Sequence, residues 1–183
     1  MKNILIADDH SLIRSGLRMM LDRMVIKTDI SEAWDSKSVM MRMKEKPFDL
    51  ILLDVQMPAT DSVVLMHWIQ TFHPDTKILI VSQTPENTYG KRYLQLGANG
   101  FISKTAPDEE MINAIAQVLN GLTYVSEGLS RSIVQGALKG ATGNPFDQSS
   151  QPQQPQQQQP QQQNEKKDSD GVAGWIKDMF GGN

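Results

Sequence analysis

The sequence predicts an α/β fold: a doubly wound, five-stranded parallel sheet covered by helices on both faces. Three observations predict it. Short apolar runs without polar alternation, such as Leu50-Ile51-Leu52-Leu53, read as strands buried on both sides. Segments with apolar residues at helical spacing alternate with those runs along the first 122 residues. Helix stops fall between them, at Pro47, Pro74, Gly97 and Gly121. Strands alternating with helices require right-handed crossovers, which bring the strands parallel.

Each element follows from its residues. Lys2 to Ala7 is the first strand, and Asp8-Asp9-His10-Ser11 is a polar break suited to cap the next helix. That helix carries Leu12, Ile13, Gly16, Leu17, Met20 and Leu21 on one face. Val25 to Ile30 reads as the second strand, and Trp34, Val39, Met40 and Met43 mark a second helix with Trp34 in the core. Phe48 to Pro58 holds the third strand and is closed by Met57-Pro58. Thr60-Asp61 is placed to cap a helix bearing Val64, Leu65, Trp68, Ile69 and Phe72. Lys77 to Val81 is the fourth strand, and a helix from Glu86 to Leu96 follows. Asn99 to Ser103 is the fifth, and Met111, Ile112, Ile115, Val118 and Leu119 line the fifth helix.

Beyond residue 122 the composition shifts. Residues 123–140 leave room for one extra helix, with Leu129, Ile133, Val134 and Leu138 at helical spacing. Residues 141–170 include a Gln/Pro tract from Gln148 to Gln163 that lacks the apolar side chains needed to offset ordering entropy, so a disordered linker is expected. In residues 171–183, Val172, Trp175, Ile176, Met179 and Phe180 fall on one face of a short amphipathic helix. About ten residues are too few for a stable isolated helix, so this tail is expected to fold only when it docks on a partner.

Composition excludes several classes. The net charge of −3 lacks the basic excess of a phosphate-backbone binder, so no direct nucleic-acid contact is expected. The chain has no cysteine, which removes disulfides, thiol catalysis and cysteine-bound zinc. No apolar run reaches the roughly 20 residues of a membrane span, and Asp8 and Asp9 interrupt the first apolar run, so no signal peptide is read there. A cytoplasmic protein is expected. His10, His67 and His73 show no metal-ligand spacing and read as loop or surface residues.

Polar residues collect at predicted strand ends: Asp8 and Asp9 after the first, Asp54 after the third, Ser82 after the fourth and Lys104 after the fifth. In a doubly wound sheet these ends share one edge. Crowded carboxylates call for a cation, and hard oxygen donors favour Mg²⁺. Asp54 then becomes a carboxylate nucleophile for a phosphoryl group, with Lys104 stabilising charge on the transferring oxygens and Ser82 donating a hydrogen bond.

Asp8-Asp9, Asp54-Val55-Gln56-Met57-Pro58, Ser82 and Gly100-Phe101-Ile102-Ser103-Lys104 together resemble the receiver domain of two-component response regulators, a CheY-like, flavodoxin-like fold. Asp8 to Leu17 and Lys104-Thr105-Ala106-Pro107 are most similar to the NarL/FixJ branch, although Thr105 stands where many receivers have proline. The resemblance implies Asp54 as phosphoacceptor from a histidine kinase or phosphotransfer protein. It also implies Mg²⁺ held by Asp8, Asp9, Asp54 and the backbone carbonyl of Gln56. By the same resemblance Ser82 and Phe101 are switch residues, Lys104 is the family's lysine, and a homodimer is an available assembly. No enzymatic role beyond self-catalysed aspartyl phosphorylation and slow dephosphorylation is implied. The NarL/FixJ branch ordinarily continues into a helix-turn-helix domain, and the residues after the extra helix leave no room for one. Output through protein contacts is therefore expected, with the tail docking an unidentified protein; the alternatives are a transcriptional regulator acting through a DNA-binding partner and a membrane-tethered receiver. A membrane surface is disfavoured because Lys177 is the only base in the tail helix.

Overall fold

A computed structural model describes residues 1–141, apart from the side chains at 87 and 136–141. The elements alternate as β1 (Lys2–Ala7), α1 (Ser11–Asp22), β2 (Thr28–Ala33), α2 (Ser36–Glu45), β3 (Leu50–Leu53) and α3 (Ser62–Phe72). They continue as β4 (Lys77–Ser82), α4 (Glu86–Gln95), β5 (Gly100–Ser103), α5 (Asp108–Leu119) and α6 (Glu127–Ala141). The strands form one five-stranded sheet in the order β2-β1-β3-β4-β5, every pairing parallel. The order reverses between β1 and β3, so the C-terminal ends of these two strands flank the crevice where such sheets bind ligands. Ala141, the first residue of the expected linker, closes α6; the rest of that linker to residue 170 and the docking helix over 171–183 lie outside the described residues, as does the question of a helix-turn-helix domain.

The core follows from the apolar runs. Ile4, Ile6, Leu50, Leu52, Leu79, Val81 and Ile102 pack against Leu17 and Leu21 of α1 and Met111, Ile115 and Val118 of α5. Alternate residues Leu5, Ile51, Leu53, Ile80 and Phe101 are equally buried, so the central strands are apolar on both faces. Fully burying a side chain of this size contributes about 1.5–3 kcal/mol.

Local chemistry sets the helix ends. Asp61 accepts from the backbone N–H groups of Val63 and Val64 at 3.0 and 3.1 Å, capping α3. Asp35 and Ser38 form a reciprocal capping box at α2. Gly97 ends α4 at φ 91°, and a side chain there would meet the Gln70 amide, which donates to the Leu96 carbonyl at 2.8 Å.

Three expectations are corrected. The second strand runs Thr28–Ala33 rather than Val25 to Ile30, and Val25 is fully exposed. β2 is an edge strand in register with β1 from Lys2↔Thr28 to Ala7↔Ala33, so pairing selects its residues even though they are polar. Trp34 is 51% exposed in the segment before α2, where its N–H donates to Ser38 Oγ. The polar break does not cap α1 by a side chain: the N-cap is His10, with no side-chain hydrogen bond to the helix. Trp68, by contrast, is buried as expected.

Candidate functional site

The site lies where β1, β3, β4 and β5 end, and the sheet's own ladder fixes its backbone. Asp8 N donates to the Ala33 carbonyl at 3.1 Å, Asp54 N to the Ala7 carbonyl at 2.8 Å, and Lys104 N to the Ser82 carbonyl at 2.9 Å. Arg14 Nη1 donates to the Asp8 carbonyl at 2.8 Å while its Nε donates to Glu32, which ties α1 and β2 to the end of β1.

Lys104 joins the two inner carboxylates. Its Nζ is 2.5 Å from Asp8 Oδ2 and 2.8 Å from Asp54 Oδ2, and all three side chains are at most 3% exposed. Burial opposes the ammonium, but its hydrogen bond to Asp54 and the negative charges of Asp54 and Asp8 outweigh it and hold the Lys104 pKa above its ordinary value. Asp54 Oδ1 accepts from Gln56 N at 3.0 Å. Asp9, less deeply placed, has its Oδ1 buried without a hydrogen-bond donor, and the Lys104 contact to Asp8 Oδ2 is an ion pair without hydrogen-bond angles.

His10 was missed as a member of this group. Its Nδ1 lies 2.8 Å from Asp9 Oδ1 and 3.2 Å from Asp8 Oδ1, and ligand-type atoms of Asp8, Asp9, His10 and Asp54 all lie within 4.8 Å of one another. The available signal was its position next to the aspartate pair, since metal-ligand spacing between histidines cannot reveal one imidazole beside carboxylates.

The residues read as switch positions are all buried. Ser82 is fully buried and its Oγ pairs with Thr84 Oγ1 at 3.0 Å while accepting from Thr84 N at 3.1 Å. Phe101 is fully buried, 6.0 Å ring to ring from Tyr93, whose hydroxyl pairs with Ser62 Oγ at 3.0 Å. Sequence reasoning did not single out Tyr93 or Thr84, which gain meaning only from these contacts. Gln56 is exposed in the loop after β3. That loop turns through Ala59 at φ 50°, a left-handed conformation uncommon for a side-chain-bearing residue. Val172, Trp175, Ile176, Met179 and Phe180 lie outside the described residues.

The arrangement fits a hard divalent cation: carboxylate oxygens of Asp8, Asp9 and Asp54 converge on one crevice.

Comparison with known proteins agrees. The model of the response regulator receiver domain matches residues 4–116. The oxygen regulatory protein NreC of Staphylococcus epidermidis is 33% identical over 150 residues, spanning 81% of this chain and 69% of that protein. Among solved structures, a LuxR-family two-component response regulator from Aurantimonas superposes with a TM-score of 0.69 at 22% identity, covering 75% of this chain and 99% of that one. RcsB from Salmonella enterica serovar Typhimurium, bound to promoter P1flhDC in the presence of phosphomimetic BeF3⁻, gives a TM-score of 0.67 at 21% identity over 79% of this chain and 72% of that one. That neighbour binds DNA, which conflicts with the expectation that a chain of this type has no direct nucleic-acid partner. The two structural likenesses show the shared fold. The family match and the NreC identity go further: this chain belongs to the response regulators of two-component systems, through its receiver domain.

Proposed function

We propose that this receiver accepts a phosphoryl group on Asp54 from a phosphohistidine of a kinase or phosphotransfer protein, and that the acyl phosphate switches its protein contacts. The observation that carries this reading is the buried Lys104 ammonium joining Asp54 and Asp8 at 2.8 and 2.5 Å. It holds Asp54 by Oδ2, and Gln56 N holds Oδ1. A carboxylate so oriented attacks phosphorus in line. The new O–P bond forms as the donor's P–N bond breaks, and the imidazole leaves with the electron pair and takes up a proton.

Asp8, Asp9, Asp54 and the Gln56 carbonyl are the residues to hold a divalent ion, Mg²⁺ on donor chemistry. When bound, such an ion neutralises charge on the phosphoryl oxygens. Lys104 pairs with the same oxygens once its contact to Asp54 is exchanged. Ser82 must give up Thr84 to reach the phosphoryl group, and that exchange pulls on the loop leading into α4. Movement there loosens the seat of Tyr93 against Phe101 and alters the surface of α4, β5 and α5. In this reading the chain is a phosphoacceptor in the cytoplasm, not an enzyme acting on a separate substrate. Among the described residues no helix is long and apolar enough to cross a membrane.

Incubating the chain with acetyl phosphate and Mg²⁺ should give acid-labile phosphate that Asp54→Asn abolishes. Undiminished labelling of D54N would overturn the assignment.

A second reading has its own support. Given the RcsB complex with promoter DNA, output through DNA is the alternative to output through a docking tail.

A further inference from the structure

We propose that α6 is a detachable strap: it docks on α4 while Asp54 is unphosphorylated and leaves it when the acyl phosphate forms. The inference rests on the reading of Asp54 as phosphoacceptor and adds to it the element that the switch releases.

The root of the strap and its body are held differently. Tyr124, which precedes α6, is fixed to the sheet and to α5. Its N–H donates to the Asn99 carbonyl at 2.9 Å, it bridges to Gly100 of β5, and its hydroxyl donates to Glu110 Oε1 at 2.6 Å. Beyond it, α6 packs on α4. Of the described side chains of α6, residues 127–135, only Leu129 is buried. Its seat is Gly90 of α4, where an added Cβ would stand 2.6 Å from Leu129 Cδ2 and 3.3 Å from Glu86 Cγ. A helix with one apolar anchor is a local unit that opens far more readily than the sheet it rests on.

The seat belongs to the switch. Glu86 and Gly90 are four residues apart, so they share one face of α4. Ser126, just before α6, hydrogen-bonds the Glu86 carboxyl, and its Oγ accepts from Leu129 N at 3.1 Å. Glu86 Oε1 is nonetheless buried without a hydrogen-bond partner, a penalty that the docked state carries and the released state sheds. Two residues upstream, Thr84 meets Ser82 Oγ through its hydroxyl at 3.0 Å and its backbone N at 3.1 Å. Ser82 gives up this pairing to reach a phosphoryl group on Asp54, so the event at the site displaces the turn on which Ser126 and Leu129 sit. A helix that belonged permanently to the fold would keep its seat in both states.

Hydrogen exchange of the full chain, with and without acetyl phosphate and Mg²⁺, tests this. Amides of α6 should exchange roughly fivefold or more faster once Asp54 is labelled, and D54N treated in the same way should show no change. Leu129→Ala removes the anchor and Gly90→Leu fills its seat. Either should speed α6 exchange without phosphate while the strands keep their protection. Because coupling is reciprocal, both variants should also bind beryllofluoride with Mg²⁺ more tightly than the wild type, by about the factor by which beryllofluoride speeds wild-type α6 exchange. Wild-type beryllofluoride affinity in L129A, with its α6 exchange raised, overturns the proposal. Label on Asp54 beside unchanged α6 exchange removes the strap alone. Failure of acetyl phosphate to label Asp54 would remove the phosphoacceptor reading and the strap with it.

Discussion

Asp54 is placed in a crevice where three carboxylates face one ammonium, and that imbalance has a thermodynamic consequence. The side chains of Asp8 and Asp54 are at most 2% exposed, so water screens their repulsion poorly. Lys104 offsets part of it, and its raised pKa shows the sign of that interaction. By linkage, the Lys104 contribution is fully present below its ordinary pKa of 10.5 and is lost only as pH rises through the higher folded value. The ammonium is therefore in place throughout the physiological range, and the residual negative charge is left for a cation. Asp54→Asn removes one of the repelling groups while keeping its shape. Without divalent ions, D54N should melt above the wild type, by about 1 kcal/mol of stability. Saturating Mg²⁺ should then raise the wild-type midpoint more than that of D54N. A lower midpoint for D54N in chelator would mean that its bond to Lys104 outweighs the repulsion, contrary to this account.

At the scale of elements, α4 joins the site to α6. The loop from Ser82 through Thr84 leads into Glu86, the first residue of α4. Gly90 lies so near Leu129 of α6 that an added Cβ would stand 2.6 Å from its Cδ2, and Leu129 is fully buried. Glu86 is half-buried there with its Oε1 lacking a hydrogen bond. Burial first, and then the charge of Glu110, push its carboxyl above the ordinary 4.5, partly opposed by hydrogen bonds from Ser126. Glu110 in turn accepts from the Tyr124 hydroxyl at 2.6 Å. Between 4.5 and the raised folded pKa of Glu86, the folded state binds more protons than the unfolded chain, so stability falls as pH rises through that window. Glu86→Gln should flatten that part of the pH profile and raise the thermal midpoint at neutral pH. Melting curves at pH 4, 5.5 and 7.5 measure it, and an unchanged slope between the first two would exclude Glu86 as its source.

The same scale shows what could be read from sequence. β1, β3 and β4 were legible because burial on both faces leaves apolar runs, and β5, though at the other edge, was legible from its buried Phe101-Ile102 between Gly100 and Lys104. β2 was not, because Thr28-Asp29-Ile30-Ser31-Glu32-Ala33 is an edge strand chosen by pairing with β1, while the more apolar Val25-Ile26 stays outside it. Asp8, Asp54, Ser82 and Lys104 were legible as site residues because strand ends in a doubly wound sheet share one edge. His10, Thr84 and Tyr93 were not, since each contributes through a side-chain contact that no spacing rule encodes.

For the whole molecule the open choice is the output. The chain carries 18 Lys and Arg against 21 Asp and Glu, a balance that supplies little of the phosphate attraction on which non-specific DNA affinity depends. Its sequence continues past the described residues through a Gln/Pro tract to a segment that contains Val172, Trp175, Ile176, Met179 and Phe180. Two measurements on one phosphorylated preparation separate the outputs. Promoter-length duplexes at about 150 mM salt test the output through DNA, where a shift at micromolar protein that weakens as salt rises supports it. A peptide from Asp168 to Asn183 should capture a defined protein that Trp175→Ala fails to capture, since an aromatic anchor dominates such small interfaces. A salt-dependent shift, together with equal capture by both peptides, would move the output from the tail to DNA.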